Sequence, residues 1–276
     1  SIPVISYDTL IRNTAAVNYY ACDDTRAIGN QVAGQIIKNM DLDKAQEEKQ
    51  SYTIEFLMGS TDDNGALFFC NGVLEKLQEY LDDGTLVCKS GNMTFDSTGI
   101  LRWDQDAAQA KMKSILDEFY QEEKTPNIII TASDEFAIGV QELLEERGIL
   151  SDSEEWPVIT GYGSEMQAVK DVAEGKITLT TYLDRKELAQ GGAKMALDYL
   201  AGEKVDVKDY SQYDNGTKIV GTFTCGAQLI DKDNYQILVD NGTYDEEEIK
   251  PDPTPTATPE PTATPEPTLT PEVTSD

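Results

Sequence analysis

Carboxylate and amide side chains follow several apolar, strand-like runs of this chain, at the point where each run ends. Asp8, Asp63, Asn64 and Asp134 all occupy such positions. The carboxyl ends of parallel strands meet at one edge of a sheet, and open α/β sheets bind ligands in the crevice there. Carboxylates and amides hydrogen-bond hydroxyl groups, and Trp103, just before a helical segment, offers a flat apolar ring. These residue types predict a cleft for a small polyhydroxylated ligand.

The elements that must hold these residues follow a repeating βα pattern from residue 52 onward. Short apolar runs alternate with segments whose apolar residues recur at helical spacing. Such alternation predicts an α/β fold with a doubly wound parallel sheet that forms one complete lobe. The predicted strands are 52–58, 85–88, 127–132, 157–160 and 177–182, and the predicted helices are 65–81, 104–120, 135–147, 165–174 and 187–200.

Composition limits the classes of function. The chain has 276 residues, a formal net charge of −29 and no histidine. Nucleic acids and anionic membranes bind Lys and Arg, so this charge argues against both as partners. Without histidine, Ser-His-Asp and Cys-His catalysis and His-based metal sites are excluded. No apolar run approaches the roughly 18–20 residues that span a bilayer. We therefore expect no enzyme activity, no cofactor or metal, and no direct membrane insertion by this chain.

The four cysteines are widely spaced and include no C-x-x-C pair, which argues against a zinc cluster. Cys70 and Cys88 flank a predicted helix and the strand after it, and they are the candidate disulfide pair. The alternative is that all four, including Cys22 and Cys225, are free thiols buried in the core.

Two strings near the start of the chain resemble a known family. Residues 3–11 read P-V-I-S-Y-D-T-L-I, and residues 17–24 read V-N-Y-Y-A-C-D-D. They resemble the strings P-V-I-A-Y-D-R-L-I and V-D-Y-Y-A-T-F-D-N of the xylose-binding and multiple-monosaccharide-binding proteins of bacterial sugar ABC transporters. The resemblance covers about residues 2–248 and implies the type I periplasmic-binding-protein fold, in which three crossovers join two similar lobes.

The resemblance also implies a division of the chain. In the family the first string lies well inside the protein, so we expect the front of the N-terminal lobe to lie outside this chain. Residues 1–24 and 184–221 are assigned to the incomplete N-terminal lobe, and residues 25–183 and 222–248 to the complete C-terminal lobe. Residues 249–276 hold most of the eleven prolines and two consecutive T-A-T-P-E-P strings, which predict a disordered Pro/Thr-rich tail.

The resemblance assigns roles to the strand-end residues. Asp8 matches an aspartate that bonds sugar hydroxyls, and Trp103 stands where the family has a ligand-stacking aromatic. Asp134 matches an Asn or Asp at a strand end, and Asp63 with Asn64 lies in a loop that resembles the family's sugar-contacting D-N-N-A string. The alternatives are a helix cap for Asp8 or Asp134, a turn for Asp63 and Asn64, and a core-edge ring for Trp103.

Four positions depart from the family pattern. Thr9 stands where the family usually has Arg, and Gly65 replaces the second Asn of D-N-N-A. Gly163, in the loop that it forms with Tyr162, replaces a ligand-bonding Asp, and Leu183 stands where Lys or Gln is common. Thr9, Gly163 and Leu183 remain secondary candidates for ligand contact. Because each loss removes charge-assisted hydrogen bonds, the site is expected to be re-tuned for another ligand or to have lost binding.

These observations predict an extracytoplasmic solute-binding protein, or a fragment of one, that binds a pentose or hexose between two lobes for an ABC-transporter permease. Its expected location is a Gram-positive cell surface or a periplasm. The alternatives are a surface module that docks a sensor or chemoreceptor, a degenerate binding protein without ligand, and, less favoured, a LacI-like effector domain or a sugar-metabolising enzyme. An incomplete N-terminal lobe also predicts an exposed apolar edge near residues 3–7 and 17–21.

Overall fold

The computed structural model describes residues 2–251, which form an α/β fold with two separate sheets. The larger sheet has the strand order β4-β3-β5-β6-β7-β9, and every neighbouring pair is parallel except β7 and β9, which are antiparallel. Its strands are β3 (Tyr52–Leu57), β4 (Leu86–Val87), β5 (Ile128–Thr131), β6 (Val158–Thr160), β7 (Leu179–Leu183) and β9 (Ala227–Asp231). The predicted strands from residue 52 to 182 are confirmed, and β9 adds an antiparallel edge.

Helices cover both faces of the larger sheet, as the doubly wound pattern predicts. Ile128 and Ile130 of β5 face the layer formed by α1 and α3, whereas Ile129 between them faces α5 and α6. Both faces of β5 are buried, which explains its uninterrupted apolar sequence. The helices are α1 (Thr25–Asn39), α2 (Leu42–Glu48), α3 (Asn64–Asp82), α4 (Phe95–Thr98), α5 (Gln105–Phe119), α6 (Asp134–Glu146), α7 (Met166–Glu174), α8 (Arg185–Ala201), α9 (Ile237–Asp240) and α10 (Glu246–Ile249).

Two glycines allow α1 and α3 to pack at short distance. A Cβ at Gly72 would lie 2.1 Å from the carbonyl oxygen of Arg26, and one at Gly29 would lie 2.3 Å from that of Phe69. Because backbone atoms occupy both places, no side chain fits at either position. This contact fixes the N-terminus of α3, which carries Asn64, relative to the start of α1.

The smaller sheet has the parallel order β1-β2-β8, formed by Val4–Tyr7, Val17–Asp23 and Gly221–Cys225. Helix α8 packs against all three strands. The strand at 221–225 corrects the predicted division, because it pairs with β2 and the chain therefore crosses to the larger sheet at Gly226 rather than at Thr222.

The prediction of an exposed apolar edge holds only in part for residues 3–7. Tyr7, which ends β1, is 48% exposed, whereas Val4 and Ile5 are half-buried. Ile2 and Ile11, which flank the strand, are 89% and 49% exposed. Val17 and Ala21 are instead fully buried, because β2 is the central strand of the smaller sheet. The prediction for residues 17–21 is therefore wrong.

Two further sequence predictions need correction. Ile249, predicted to begin the tail, ends α10 and is 1% exposed against Val169, Ile230 and Leu238. Residues 252–276 of the predicted tail lie outside the described residues. All four cysteines are free thiols, so the Cys70–Cys88 pairing is wrong; Cys70 is buried and Cys88 half-buried. Among the helices of residues 2–251, none has the length and apolar composition that crossing a bilayer requires.

Candidate functional site

A cavity of about 140 Å³ lies where the carboxyl ends of β1, β2 and β7 meet the N-terminus of α3. Six of the eight residues predicted from the sequence line it, although they come from four separate stretches of the chain. These six are Asp8, Thr9, Asp63, Asn64, Trp103 and Leu183. The position agrees with the rule that parallel sheets bind ligands beyond the carboxyl ends of their strands.

Asp8 follows β1 in a left-handed backbone conformation, with φ of 63°. Its backbone N–H donates to the carbonyl of Ala21 at 2.9 Å, and its carbonyl accepts from the Tyr20 hydroxyl at 2.6 Å. These bonds hold the turn against β2, and the carboxylate, which is 60% exposed, lies in the cavity wall 3.6 Å from Arg185 Nη1. Asp8 caps no helix, so the alternative role considered from the sequence does not apply.

Asp63 and Asn64 form the start of α3. Asp63 is the N-cap, and its Oδ1 accepts from the backbone N–H of Gly65 at 2.7 Å. Asn64 accepts at its Oδ1 from Arg12 Nη1 at 2.5 Å, which joins the loop after β1 to the first turn of α3. Asp63 therefore combines the capping role with a place in the cavity wall.

Trp103 ends a short 3-10 turn, Leu101–Trp103, and has a φ of 55°. Its ring is half-buried between the two core layers of the larger sheet and lies 6.1 Å from the Phe136 ring, centroid to centroid. A Cβ at Gly59 would lie 2.1 Å from Trp103 Cη2, so the ring lies directly over that glycine. The ring is thus both an edge of the core and part of the cavity wall.

The structure does not place Asp134 in the cavity. Its side chain is fully buried, and its carboxylate accepts from Thr180 Oγ1 at 2.5 Å and from the backbone N–H of Glu165 at 2.7 Å. Burial raises the pKa of Asp134 from 3.8 to about 6, although both hydrogen bonds lower it. The carboxylate joins α6 to β7 and to the start of α7, which is a structural role.

Gly163 also lies outside the cavity. It borders a wider groove together with Ser164 and Tyr182, and this groove adjoins the cavity at Leu183 and Arg185. The Asp134 carboxylate lies 3.4 Å from where a Cβ of residue 163 would be. A side chain at position 163 would approach a buried carboxylate rather than the cavity. Tyr162, its neighbour, does line the cavity. Burial raises the pKa of Tyr162 above its usual range.

Sequence reasoning did not identify two charged residues of the cavity, Asp23 and Arg185. Asp23 ends β2 and is 5% exposed in its side chain, and Arg185 Nη1 lies 3.3 Å from its Oδ2. Burial raises the pKa of Asp23 from 3.8 to about 6, and the Arg185 charge opposes this rise. The pair of carboxylates at the end of the apolar run 17–22 indicates Asp23 in the sequence. No local pattern indicates Arg185, because it reaches the cavity from the first turn of α8.

Aromatic rings form the apolar wall of the cavity. Phe68 of α3 meets the Tyr213 ring edge-on at 5.5 Å, and Tyr213 meets the Tyr20 ring at the same distance. Phe69 meets the Tyr162 ring at 5.3 Å. The described part of the chain contains no cluster of three or more acidic or Cys side chains arranged to hold a metal ion. The site can therefore form hydrogen bonds through carboxylates and a guanidinium, and apolar contacts through ring surfaces.

Two α/β sheets, parallel except for the edge strand β9, with a polar, aromatic-walled cavity at their strand ends define a binding protein of the type I periplasmic class. Residues 1–204 match the model of the periplasmic binding protein domain family, and the chain belongs to this family of sugar-binding periplasmic proteins. The family resemblance seen in the sequence and the expected fold class are both confirmed.

Individual relatives are similar over most of the chain. The multiple sugar-binding periplasmic receptor ChvE of Rhizobium radiobacter is 35% identical over 250 residues, which are 90% of this chain and 70% of that protein. The multiple sugar-binding periplasmic protein SbpA of Azospirillum brasilense is also 35% identical, with 90% and 69% covered. The solved structure of an ABC transporter solute-binding protein from Clostridium phytofermentans, with bound β-D-glucose, is 32% identical with a TM-score of 0.82, and 90% and 75% are covered.

Proposed function

We propose that this protein binds a neutral monosaccharide, a pentose or a hexose, in the cavity between its two sheets. The observation that carries the proposal is the convergence of Asp8, Asp63 and Trp103 on one small cavity from three separate parts of the chain. Carboxylates accept hydrogen bonds from ring hydroxyls, and an aromatic ring packs against the apolar face of a sugar. Relatives named as sugar-binding, and the similar structure that holds β-D-glucose, support the same class of ligand.

The charge of the cavity favours a neutral ligand. Among the described residues that line it, Asp8, Asp23 and Asp63 are acidic and Arg185 is the one cation. An anionic sugar, such as a uronic acid, would meet uncompensated negative charge in a partly desolvated site. We therefore expect neutral aldoses to bind more tightly than the corresponding uronates at neutral pH.

The two sheets supply the two sides of a closing cleft. We propose that the lobes divide at the three places where the chain passes between the sheets, near residues 24, 184 and 226. The backbone N–H of Asp24 donates to the Cys225 carbonyl at 2.8 Å, which holds two of these crossovers together. A rotation about the three crossovers would open and close the cavity while both sheets keep their internal hydrogen bonds.

The test is a ligand panel read by thermal shift and then by calorimetry. D-glucose, D-galactose, D-xylose, L-arabinose and the matching uronates are each added to the protein. A sugar present at 100 times its dissociation constant should add about 2.7 kcal/mol to the free energy of unfolding, which is a clear upward shift. Asp8→Asn, which keeps the size of the side chain, should weaken the calorimetric affinity. A sharp unfolding transition that no sugar shifts would contradict the proposal.

We further propose that the bound sugar is delivered to an ABC-transporter permease, at a Gram-positive cell surface or in a periplasm. The relative of known structure named as an ABC transporter solute-binding protein supports this partner. A sensing module is the second candidate, since the Pro/Thr-rich sequence after residue 251 is typical of a spacer. Sugar-dependent binding to the permease would support delivery, whereas sugar-dependent binding to a sensor domain alone would support sensing.

A further inference from the structure

Arg185 lies between two carboxylates, those of Asp8 and Asp23, at one end of the smaller sheet. It is the first residue of α8, whose N-cap Asp184 accepts from the backbone N–H groups of Lys186 and Glu187. Arg185 Nη1 lies 3.3 Å from Asp23 Oδ2 and 3.6 Å from Asp8 Oδ1. One guanidinium therefore contacts both Asp8, which follows β1, and Asp23, which ends β2. These strands are neighbours, so all three groups stand at one end of the smaller sheet.

The hydrogen-bonding capacity of this group is only partly used. Asp23 Oδ1 is buried and has no hydrogen-bond partner within residues 2–251. A guanidinium carries five N–H donors in a planar fork, and the hydrogen bond of Arg185 to a described side chain is the one from Nη1 to Asp23. An unpaired buried carboxylate oxygen is costly and marks a place where a ligand donor fits. Both residues border the same cavity.

We propose that Asp23 and Arg185 together form a subsite that binds two adjacent hydroxyl groups of the sugar. One hydroxyl donates to Asp23 Oδ1, and the next accepts from a free N–H of Arg185. This inference rests on the proposed function and adds to it the residues that recognise a vicinal diol. It also gives Arg185, the one cation among the described residues of the cavity wall, a ligand contact in addition to its ion pairs.

A stabilising ion pair with Arg185 would not by itself explain why Asp23 is buried with one carboxylate oxygen unpaired. The Arg185 side chain is 63% exposed, and exposed pairs contribute little to stability, whereas Asp23 is almost fully buried. Burial of Asp23 with one oxygen unpaired is costly, and a hydroxyl donor supplied by the ligand removes that cost. The planar fork of Arg185, fixed at the first turn of a helix, holds its free N–H groups beside Asp23.

The experiment compares Arg185→Met with Lys186→Met, which removes the same charge from the next residue of the same helical turn. Calorimetry with D-glucose, D-galactose, D-xylose and L-arabinose first identifies a sugar that the unaltered protein binds. Arg185→Met should weaken that affinity roughly 10- to 100-fold, because charge-assisted hydrogen bonds are lost, while Lys186→Met should leave it unchanged. Arg185→Lys keeps the charge but loses the planar guanidinium, so its sugar affinity should lie between those of Arg185→Met and Lys186→Met.

Deoxy analogues of the bound sugar separate ligand contact from a structural effect. The unaltered protein should discriminate against the two analogues that lack the adjacent hydroxyls, and Arg185→Met and Asp23→Asn should lose that discrimination. Equal discrimination in Arg185→Met and the unaltered protein would overturn the subsite while leaving sugar binding intact. If the unaltered protein binds no sugar in the panel, both the proposed function and this inference fail.

Discussion

At the residue scale, the position of Trp103 depends on the absence of a side chain at Gly59. Gly59 follows β3, and its open side is filled by the indole ring, which would lie 2.1 to 2.5 Å from a Cβ there. Trp103 ends the 3-10 turn with a positive φ, and its ring lies over Gly59. The place of the Trp103 ring in the cavity wall is therefore set by packing against the larger sheet, before any ligand enters.

Gly59→Ala should therefore weaken sugar binding without removing a single ligand contact directly. The new methyl group must displace the ring, and overpacking of this kind typically costs about 1–3 kcal/mol of stability. We expect a clear change in tryptophan fluorescence and at least a severalfold loss of calorimetric affinity. Gly34→Ala is the control, because the nearest atom to its Cβ would be the flexible end of Lys76 at 4.0 Å. Unchanged fluorescence and affinity in Gly59→Ala would contradict this account.

At the element scale, Asp63 at the N-terminus of α3 has two functions. Asp63 caps the helix through Gly65 and also borders the cavity. Asn and Asp are equally good N-caps, but only Asp brings a negative charge to a sugar hydroxyl. Substitutions at this single position can therefore separate the stability of the helix from the recognition of the ligand.

Asp63→Ala should lower the free energy of unfolding by about 1 kcal/mol because the cap is lost, whereas Asp63→Asn should leave it nearly unchanged. Both variants should bind sugar more weakly than the unaltered protein. Chemical denaturation measures the first effect and calorimetry the second. Full affinity in Asp63→Asn would show that Asp63 serves only as the N-cap of α3.

The elements of the larger sheet were predictable because their signals are local. Apolar runs such as Ile128–Thr131 and caps such as Ser133 are visible within a few residues. The sequence does not show which of the two sheets β8 joins. Its neighbour β2 is about 200 residues away in the sequence, and an apolar run like that of β8 fits either sheet.

The difference between local signals and long-range packing also explains which site residues could be predicted from the sequence. Asp8, Asp63 and Trp103 stand at strand ends or helix starts, so local pattern and family resemblance together indicate them. Asp134 has the same local signal, yet its carboxylate turns into the core toward Thr180. Arg185 has no local signal at all, because its approach to Asp23 depends on how α8 packs on the smaller sheet.

At the scale of the whole molecule, acidic groups far outnumber basic ones, and several carboxyls are buried among residues 2–251. The formal net charge is −29, and three carboxyls within residues 2–251, those of Asp23, Asp134 and Asp171, are buried and have pKa values raised from 3.8 to about 6. Burial is the largest cause in each case, because desolvation disfavours the charged form. Asp171 Oδ2 also has no hydrogen-bond partner among the described residues.

These carboxyls make the protein more stable in mild acid than at neutral pH. A carboxyl whose folded-state pKa is raised binds more protons in the folded state than in the unfolded state between about pH 3.8 and 6. The free energy of unfolding therefore falls as the pH rises from about 3.8 to 6, and above about pH 6 it stays at the lower value. Asp83, Asp117 and Asp209, whose pKa values are lowered by hydrogen bonds, act in the opposite direction and lose their contribution only below their usual pKa.

The melting temperature should accordingly rise by at least about 4 °C when the pH is lowered from 7.5 to 5, and should fall again below about pH 4. Protonation in mild acid also lowers the net negative charge, and the weaker repulsion raises the melting temperature as well. A matched pair of variants is needed to separate this effect from that of the buried carboxyls. Asp134→Asn removes one buried carboxyl and should reduce the slope, whereas Asp152→Asn removes the same charge from the surface and should leave the slope nearly as it is. A melting temperature that is constant or decreasing from pH 7.5 to 5 would contradict the role of the buried carboxyls, and equal slopes in the two variants would assign the effect to net charge alone.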